Sequence, residues 1–269
     1  MTDDPFPGQL AKGVRIERPV AVVAAHPDDE TVGLGSRLAC FAHLRLIHVT
    51  DGAPRDLRDA RRAGCADWPS YAALREAELH EAMKAAGAGR AQRIGYALPD
   101  QESILHLAPL VRRLCRDLAG MQAVFTHPYE HGHPDHDTAA LAVWLACRRL
   151  QGQGVRPPAR YEFACYHWRG DHVVCGAFWP DGTAPETVLT LDGESLARKR
   201  AALACFRSQE TLLAQFPAAR EVIRPAPAYD FTRAAPPGVP LYDGYAIVKS
   251  HIWRRCAREA VPVDRVACA

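Results

Sequence analysis

Val20-Ala-Val-Val-Ala-Ala-His26-Pro27-Asp28-Asp29-Glu30 decides the fold of this 269-residue chain. The first half is a short apolar run with repeated β-branched residues, the pattern of a buried strand. The second half sets a histidine and three carboxylates at the strand's carboxyl end, where an open parallel sheet binds ligands. Carboxylates packed this closely repel, and one would be driven to keep its proton. A bound divalent cation removes that conflict. The dipole of a helix N-terminus also favours Asp28, Asp29 and Glu30, but it does not account for His26 and Pro27.

The same turn holds Gly33-Leu-Gly35, a fragment of a dinucleotide fingerprint. Leu38 stands where the third glycine belongs, and the loop is acidic where a pyrophosphate would sit, so nucleotide binding is not expected.

Outward from this stretch, apolar spacing predicts a helix from about Thr31 through Phe41, a strand at 44–50 and a polar loop at 55–70. A helix follows at 72–86, ended by Gly87. Next come a strand at 92–98 and a helix capped by Ser103, with Ile104, Leu107, Val111, Leu114 and Leu118 on one face. A strand at 123–126 and a helix at 137–150 complete the alternation. Strand–helix repetition of this kind implies an α/β, Rossmann-like, doubly wound and mostly parallel sheet with helices on both faces. Extra C-terminal strands, including antiparallel additions, are expected at 161–167, 172–178 and 187–191, with a helix at 195–207. Residues 1–19 read as an irregular arm and 217–240 as an irregular Pro-rich segment. With no linker in view, the chain is expected to be one domain over 1–269.

A second cluster follows the fourth strand: His127-Pro-Tyr-Glu-His131-Gly-His133-Pro-Asp135-His136. Four of the twelve histidines fall within these ten residues. Neutral imidazole is the commonest nitrogen ligand of zinc, and a carboxylate beside a histidine fixes its tautomer. In doubly wound sheets the first and fourth strands are neighbours, and the chain reverses direction between them. The two clusters are therefore expected to meet in one crevice.

Bulk properties exclude several classes. The formal net charge is +2, with arginines scattered or in pairs. No strong field is available to recruit nucleic acid or anionic lipid. No apolar run reaches membrane-spanning length or looks like a signal core. Nine cysteines without a C-x-x-C pair imply a reducing, cytoplasmic setting and no cysteine metal site.

These motifs resemble the LmbE-like, or PIG-L, family of zinc-dependent N-deacetylases. The family's A-H-P-D-D-E signature matches Ala25 to Glu30, and its H-P-D-H signature matches His133 to His136. Leu74 to Leu79 is similar to a family helix carrying a substrate-facing arginine, here Arg75. Leu98-Pro99-Asp100 is similar to a loop whose aspartate contacts the sugar. Lys199 through Gln209 is similar to a helix ending in Ser-Gln. The resemblance spans roughly 20–210 and gives no counterpart for Tyr242-Asp-Gly-Tyr245.

The resemblance implies one zinc per chain on His26, Asp29 and His136, with Asp28 as general base. It implies His133 as electrophile or general acid, oriented by Asp135. Iron(II) can occupy similar ligands. Arg75, Asp100 and His131 are candidate substrate contacts; a helix-surface pair with Glu78 is the alternative for Arg75. The implied reaction is removal of the N-acetyl group from an N-acetylglucosamine-type sugar or conjugate, a small-molecule substrate. Hydrolysis of another N-acyl amino-sugar conjugate, non-catalytic metal or sugar binding, and phosphoester hydrolysis are the rivals.

Overall fold

The computed structural model describes residues 5–180, 182, 184–234, 236 and 238–266. In chain order it runs α1 (Pro5–Ala11), β1 (Val20–Ala24), α2 (Asp29–Leu34), β2 (Leu44–Pro54), α3 (Arg58–Arg62), α4 (Trp68–Ala85) and β3 (Gln92–Asp100). Then follow α5 (Leu107–Leu118), β4 (Ala123–Thr126), α6 (Pro134–Gly152), β5 (Ala159–Phe163), β6 (Tyr166–Arg169) and β7 (His172–Cys175). The last elements are β8 (Thr187–Thr190), α7 (Gly193–Leu203), α8 (Glu210–Leu213), β9 (Arg220–Pro225) and α9 (Ser250–Val266).

All five side chains of β1 are buried, as its unbroken apolar run requires. Ala21 and Val23 join a core with residues of α5, α6 and α9. Val20 and Val22 join a second core with residues of α1, α2, α4 and α7. The period-two alternation of the strand thus assigns one helical layer to each face. The seven-stranded sheet has the order β3-β2-β1-β4-β5-β9-β8. Strands β1 to β5 pair in parallel, and β9 adds antiparallel to β5 and β8. Strands β6 and β7 form a separate antiparallel hairpin. The protein is therefore α/β and Rossmann-like, with β1 beside β4 at the point of reversal.

Several local expectations differ from the structure. The irregular arm contains α1, which buries Phe6 and Leu10; the part of that arm at residues 1–4 lies outside the described residues. The helix expected from Thr31 to Phe41 stops at Leu34 because its next backbone groups are taken elsewhere. Lys199 Nζ donates to the Val32 carbonyl (2.8 Å), and the Ser36 N–H donates to the buried Glu221 carboxylate (2.9 Å). The expected loop at 55–70 holds α3 and the start of α4. There Asp67 accepts the Ser70 N–H, and Pro69 sits in the first turn, a proline of helix entry and not of a loop. Helix α6 begins at Pro134, three residues earlier than the apolar period suggests. The Pro-rich segment contains β9; positions 235 and 237 in it lie outside the described residues.

Gly33 serves packing and not phosphate binding. A Cβ there would fall 2.2 Å from the Phe163 ring, between α2 and the end of β5. Gly33→Ala is expected to destabilise the protein by about 1–3 kcal/mol through overpacking. Chemical denaturation would check this, and an unchanged midpoint would refute the tight contact.

Candidate metal centre and active site

The end of β1 and the loop after β4 meet as their adjacency demands. The Ala25 N–H donates to His127 Nε2 (2.9 Å), which locks the two loops together. Asp29 lies at the centre. Its Oδ2 accepts the His26 N–H (2.8 Å) and is 3.2 Å from His26 Nδ1. Its Oδ1 is 3.4 Å from His136 Nε2. The rings of His26 and His136 have centroids 5.3 Å apart, and both expected histidine ligands contact Asp29. His127 and Cys165 also crowd Asp29, at 3.3 Å and 3.8 Å.

Asp28 holds a backbone conformation rare for any residue with a Cβ, with φ 137°. It precedes α2, and its neighbours force the turn. Its N–H donates to Glu30 Oε2 (3.1 Å), which also meets His48 Nε2 at 3.0 Å. Arg75 reaches over from α4 and donates to both the Pro27 carbonyl (2.6 Å) and Asp28 Oδ2 (3.0 Å). Gly52 permits that approach: at φ +64°, a Cβ there would lie 2.9 Å from Pro27 and 3.3 Å from the Arg75 guanidinium. Glu78 does not pair with Arg75; it accepts the N–H and Oγ–H of Ser208.

His133 caps α6, its Nδ1 accepting the Asp135 N–H (3.2 Å). A neutral ring so placed carries its proton on Nε2. The Asp135 carboxylate is gripped by the Gln101 N–H (2.6 Å) and by the N–H (3.1 Å) and hydroxyl of Ser103. It lies 3.3 Å from His26 Nε2 and 3.8 Å from His133 Nδ1. Asp100 Oδ1 is 3.1 Å from His26 Nε2 and 3.8 Å from His133 Nε2. Ser103 therefore holds a buried carboxylate and caps nothing, since Glu102 precedes the 3-10 turn at 103–106 without a side-chain cap bond.

The buried ionisable groups of this cluster shift one another strongly. Burial tends to discharge His26, yet Asp100, Asp135 and Asp29 around it raise it well above its ordinary range. Burial would raise Asp29, but His136 and His127 pull it well below the usual carboxylate range. Burial and His127 push His136 down to about 4, leaving the neutral imidazole, the form able to bind a metal. Burial, with His26 alongside, also holds His133 well below its ordinary value. Burial pushes Asp28 up to about 8 against the pull of Arg75. Imidazole nitrogens and carboxylate oxygens in reach of one another fit a divalent cation. His26, His133 and His136 offer atoms mutually within 4.8 Å, as do Asp29, His127, His136 and Cys165.

A cavity of about 360 Å³ opens on this cluster and is lined by His26, Asp28, Asp29, Arg75, Asp100, His133 and His136 among others. Asp135 is fully buried behind it. His131 does not line this cavity; it borders a separate one with Glu130, Trp168 and Trp179, and its ring lies 4.0 Å from Asp137. Tyr166 and Tyr245 line the main cavity, with the Tyr245 hydroxyl donating to the Gly132 carbonyl (3.0 Å). Neither tyrosine is singled out by the sequence: strands are expected at 161–167 and 172–178, but the pattern does not show which side chains reach the cavity, and Tyr245 follows a 3-10 turn at 241–244. Arg75→Lys is expected to lower kcat/KM by about 10–100-fold, because one ammonium cannot serve Pro27 and Asp28 in Arg75's geometry. Steady-state kinetics with metal content measured in parallel would check this.

Fold and site together define a Rossmann-like α/β protein with a buried His/Asp centre at the sheet's switch point. Residues 21–147 match the family model described as PIG-L, GlcNAc-PI de-N-acetylase. No curated protein matches it. Among solved structures it is similar to the A40926 pseudoaglycone deacetylase Dbv21 (TM-score 0.59, 18% identity, covering 80% of this chain and 100% of that one). It is similar to a zinc-inhibited form of the teicoplanin deacetylase Orf2 (TM-score 0.56, 14% identity, 79% and 99% covered). It is also similar to GalB, the 4-carboxy-2-hydroxymuconate hydratase of Pseudomonas putida KT2440 (TM-score 0.51, 21% identity, 74% and 82% covered). A hydratase among these neighbours means the shared fold does not by itself fix the reaction. Among the described residues, no helix is long and apolar enough to cross a membrane.

Proposed function

We propose that this protein is a zinc-dependent hydrolase that cleaves the N-acyl group from an N-acetylglucosamine-type amino sugar or its conjugate. The metal would be held by His26, Asp29 and His136. The observation that carries the reading is the pairing of a ligand set with a second carboxylate, Asp28, fixed by Arg75 at 3.0 Å on the cavity wall. A site that only stored metal would need no such second group. The match of residues 21–147 to the PIG-L family model, with deacetylases among the structural neighbours, supports the amide as the bond cleaved.

A metal bound in this set supplies Lewis acidity, which activates water and polarises a carbonyl. The chain's own groups do the rest. Asp28 takes the proton of the attacking water; burial lifts its pKa to about 8, and a cation in the centre would bring it back down, the direction in which Arg75 already acts. His133 presents Nε2–H to the cavity as a donor for the developing oxyanion, a contribution of about 3–4 kcal/mol for one well-placed donor. The Asp100 and Asp135 carboxylates hold His26 in place, and the Asp135 backbone N–H, not its carboxylate, orients His133. Arg75 and Gln101 face the space where sugar hydroxyls would lie.

The decisive experiment is metal analysis of the purified protein with an acetate-release screen over N-acetylated amino sugars. Stoichiometric zinc with acetate release supports the proposal. Release of phosphate from sugar phosphates without acetate, or metal without any amide hydrolysis, would overturn it.

A further inference from the structure

The main cavity has two unlike walls, and cleavage of an acetyl group makes use of only one. Asp28, Arg75, Asp100 and Gln101 form the polar wall. The same cavity is lined by an apolar set, Tyr166, Val173, Leu212, Leu213 and Phe216, with Gln209 and Gln215 as the polar residues among its α8 neighbours. This apolar wall starts at the ligand set itself: the Tyr166 ring is 5.1 Å from the His136 ring, and Phe216 is 6.0 Å beyond Tyr166. At the rim Val173 is 37% exposed and Leu212 43% exposed. Single exposed apolar residues are ordinary, but these are continuous with the reacting centre. All five come from β6, β7, α8 and the turn after it, beyond the family-matched residues 21–147.

An amide sends its amine part and its acyl part to opposite sides of the carbonyl carbon. A sugar amine carries hydroxyls, and these match Arg75, Asp100 and Gln101. The acyl part then falls against the apolar wall. An acetyl group ends in one methyl and would leave most of that wall in water. We infer that the wall binds a straight alkanoyl chain longer than acetyl, so that the preferred substrate is an amino sugar N-acylated by a medium-length fatty acid. This inference rests on the amide-hydrolase reading above. The reaction is ordinary hydrolysis: the C–N bond breaks, the water oxygen joins the acyl carbon to give a carboxylate, and the nitrogen leaves as a protonated amine.

The test uses the metal-loaded full chain and follows amine release from N-acetyl-, N-butanoyl-, N-hexanoyl- and N-octanoyl-glucosamine. Methyl and octyl glycosides of N-acetylglucosamine are run alongside. Burial of a methylene corresponds to about fourfold in kcat/KM. The hexanoyl substrate is therefore expected to exceed the acetyl one by about tenfold or more. In Leu212→Gln and Val173→Thr, whose partial exposure spares the fold, the hexanoyl-to-acetyl ratio is expected to fall towards one. A flat or falling series with acetyl still cleaved, or a gain that follows the octyl aglycone and not the acyl chain, overturns the inference and leaves the amide-hydrolase reading intact. Release of no amine from any substrate by the metal-loaded protein overturns that reading, and the inference with it.

Discussion

Asp28→Asn is expected to bind metal at the parental stoichiometry and to lose turnover by about 10²–10⁴-fold, the range of a removed general base. The amide keeps the shape of the side chain, and its oxygen can still accept from Arg75, so the turn at φ 137° is retained. What disappears is the group able to take a proton on the cavity wall. The proposed ligands His26, Asp29 and His136 are untouched, so metal content separates this outcome from a collapsed site. Parental turnover in a metal-replete Asp28→Asn protein would show that another group is the base. Loss of metal would instead show that Asp28 is itself a ligand.

His26→Ala is expected to remove the metal, lowering its affinity by orders of magnitude, and with it all turnover. His26 is one of the three proposed ligands, and it also holds its neighbours in place: Asp29 on one side, Asp100 and Asp135 on the other. Without the imidazole these buried carboxylates face one another with less positive charge nearby, which drives proton uptake onto one of them. Buried like charges without a partner are costly. Metal-free His26→Ala is therefore also expected to unfold at a lower temperature than the metal-free parent. Inductively coupled plasma analysis and calorimetry read the two effects separately. Stoichiometric metal in His26→Ala would refute the assigned ligand set.

The architecture was legible where chemistry and period coincide. The unbroken apolar run at 20–24 and the strand at 123–126 can only be central strands, and their loops carry most of the site's ionisable groups. What remained hidden depends on distant partners. The early end of α2 is set by Lys199 and Glu221, more than 160 residues away in sequence. The turn at Asp28 exists because Arg75 and Glu30 bind its two ends. Arg75 itself was legible as a functional candidate, but helical spacing suggested Glu78 as its alternative partner, and Glu78 is engaged by Ser208. His131 belongs to the right cluster but turns from the main cavity, because φ 58° at this residue reverses the chain before Gly132. For Tyr166 and Tyr245, the sequence pattern does not show which side chains reach the cavity.

The buried ammonium of Lys199 has a consequence for modularity. It spans Val32 in α2 and Glu221 in β9, the latter at 3.0 Å, while Glu221 also engages Ser36. The helix that carries Asp29 is thus bolted to a strand contributed by the far end of the polypeptide. A fragment cut after residue 147 would strip the bolt, leaving a carbonyl and an amide without their partners beside the centre. The stretch bearing both signatures is accordingly not expected to fold on its own, and transplanting it onto another scaffold would require carrying the anchoring strand along.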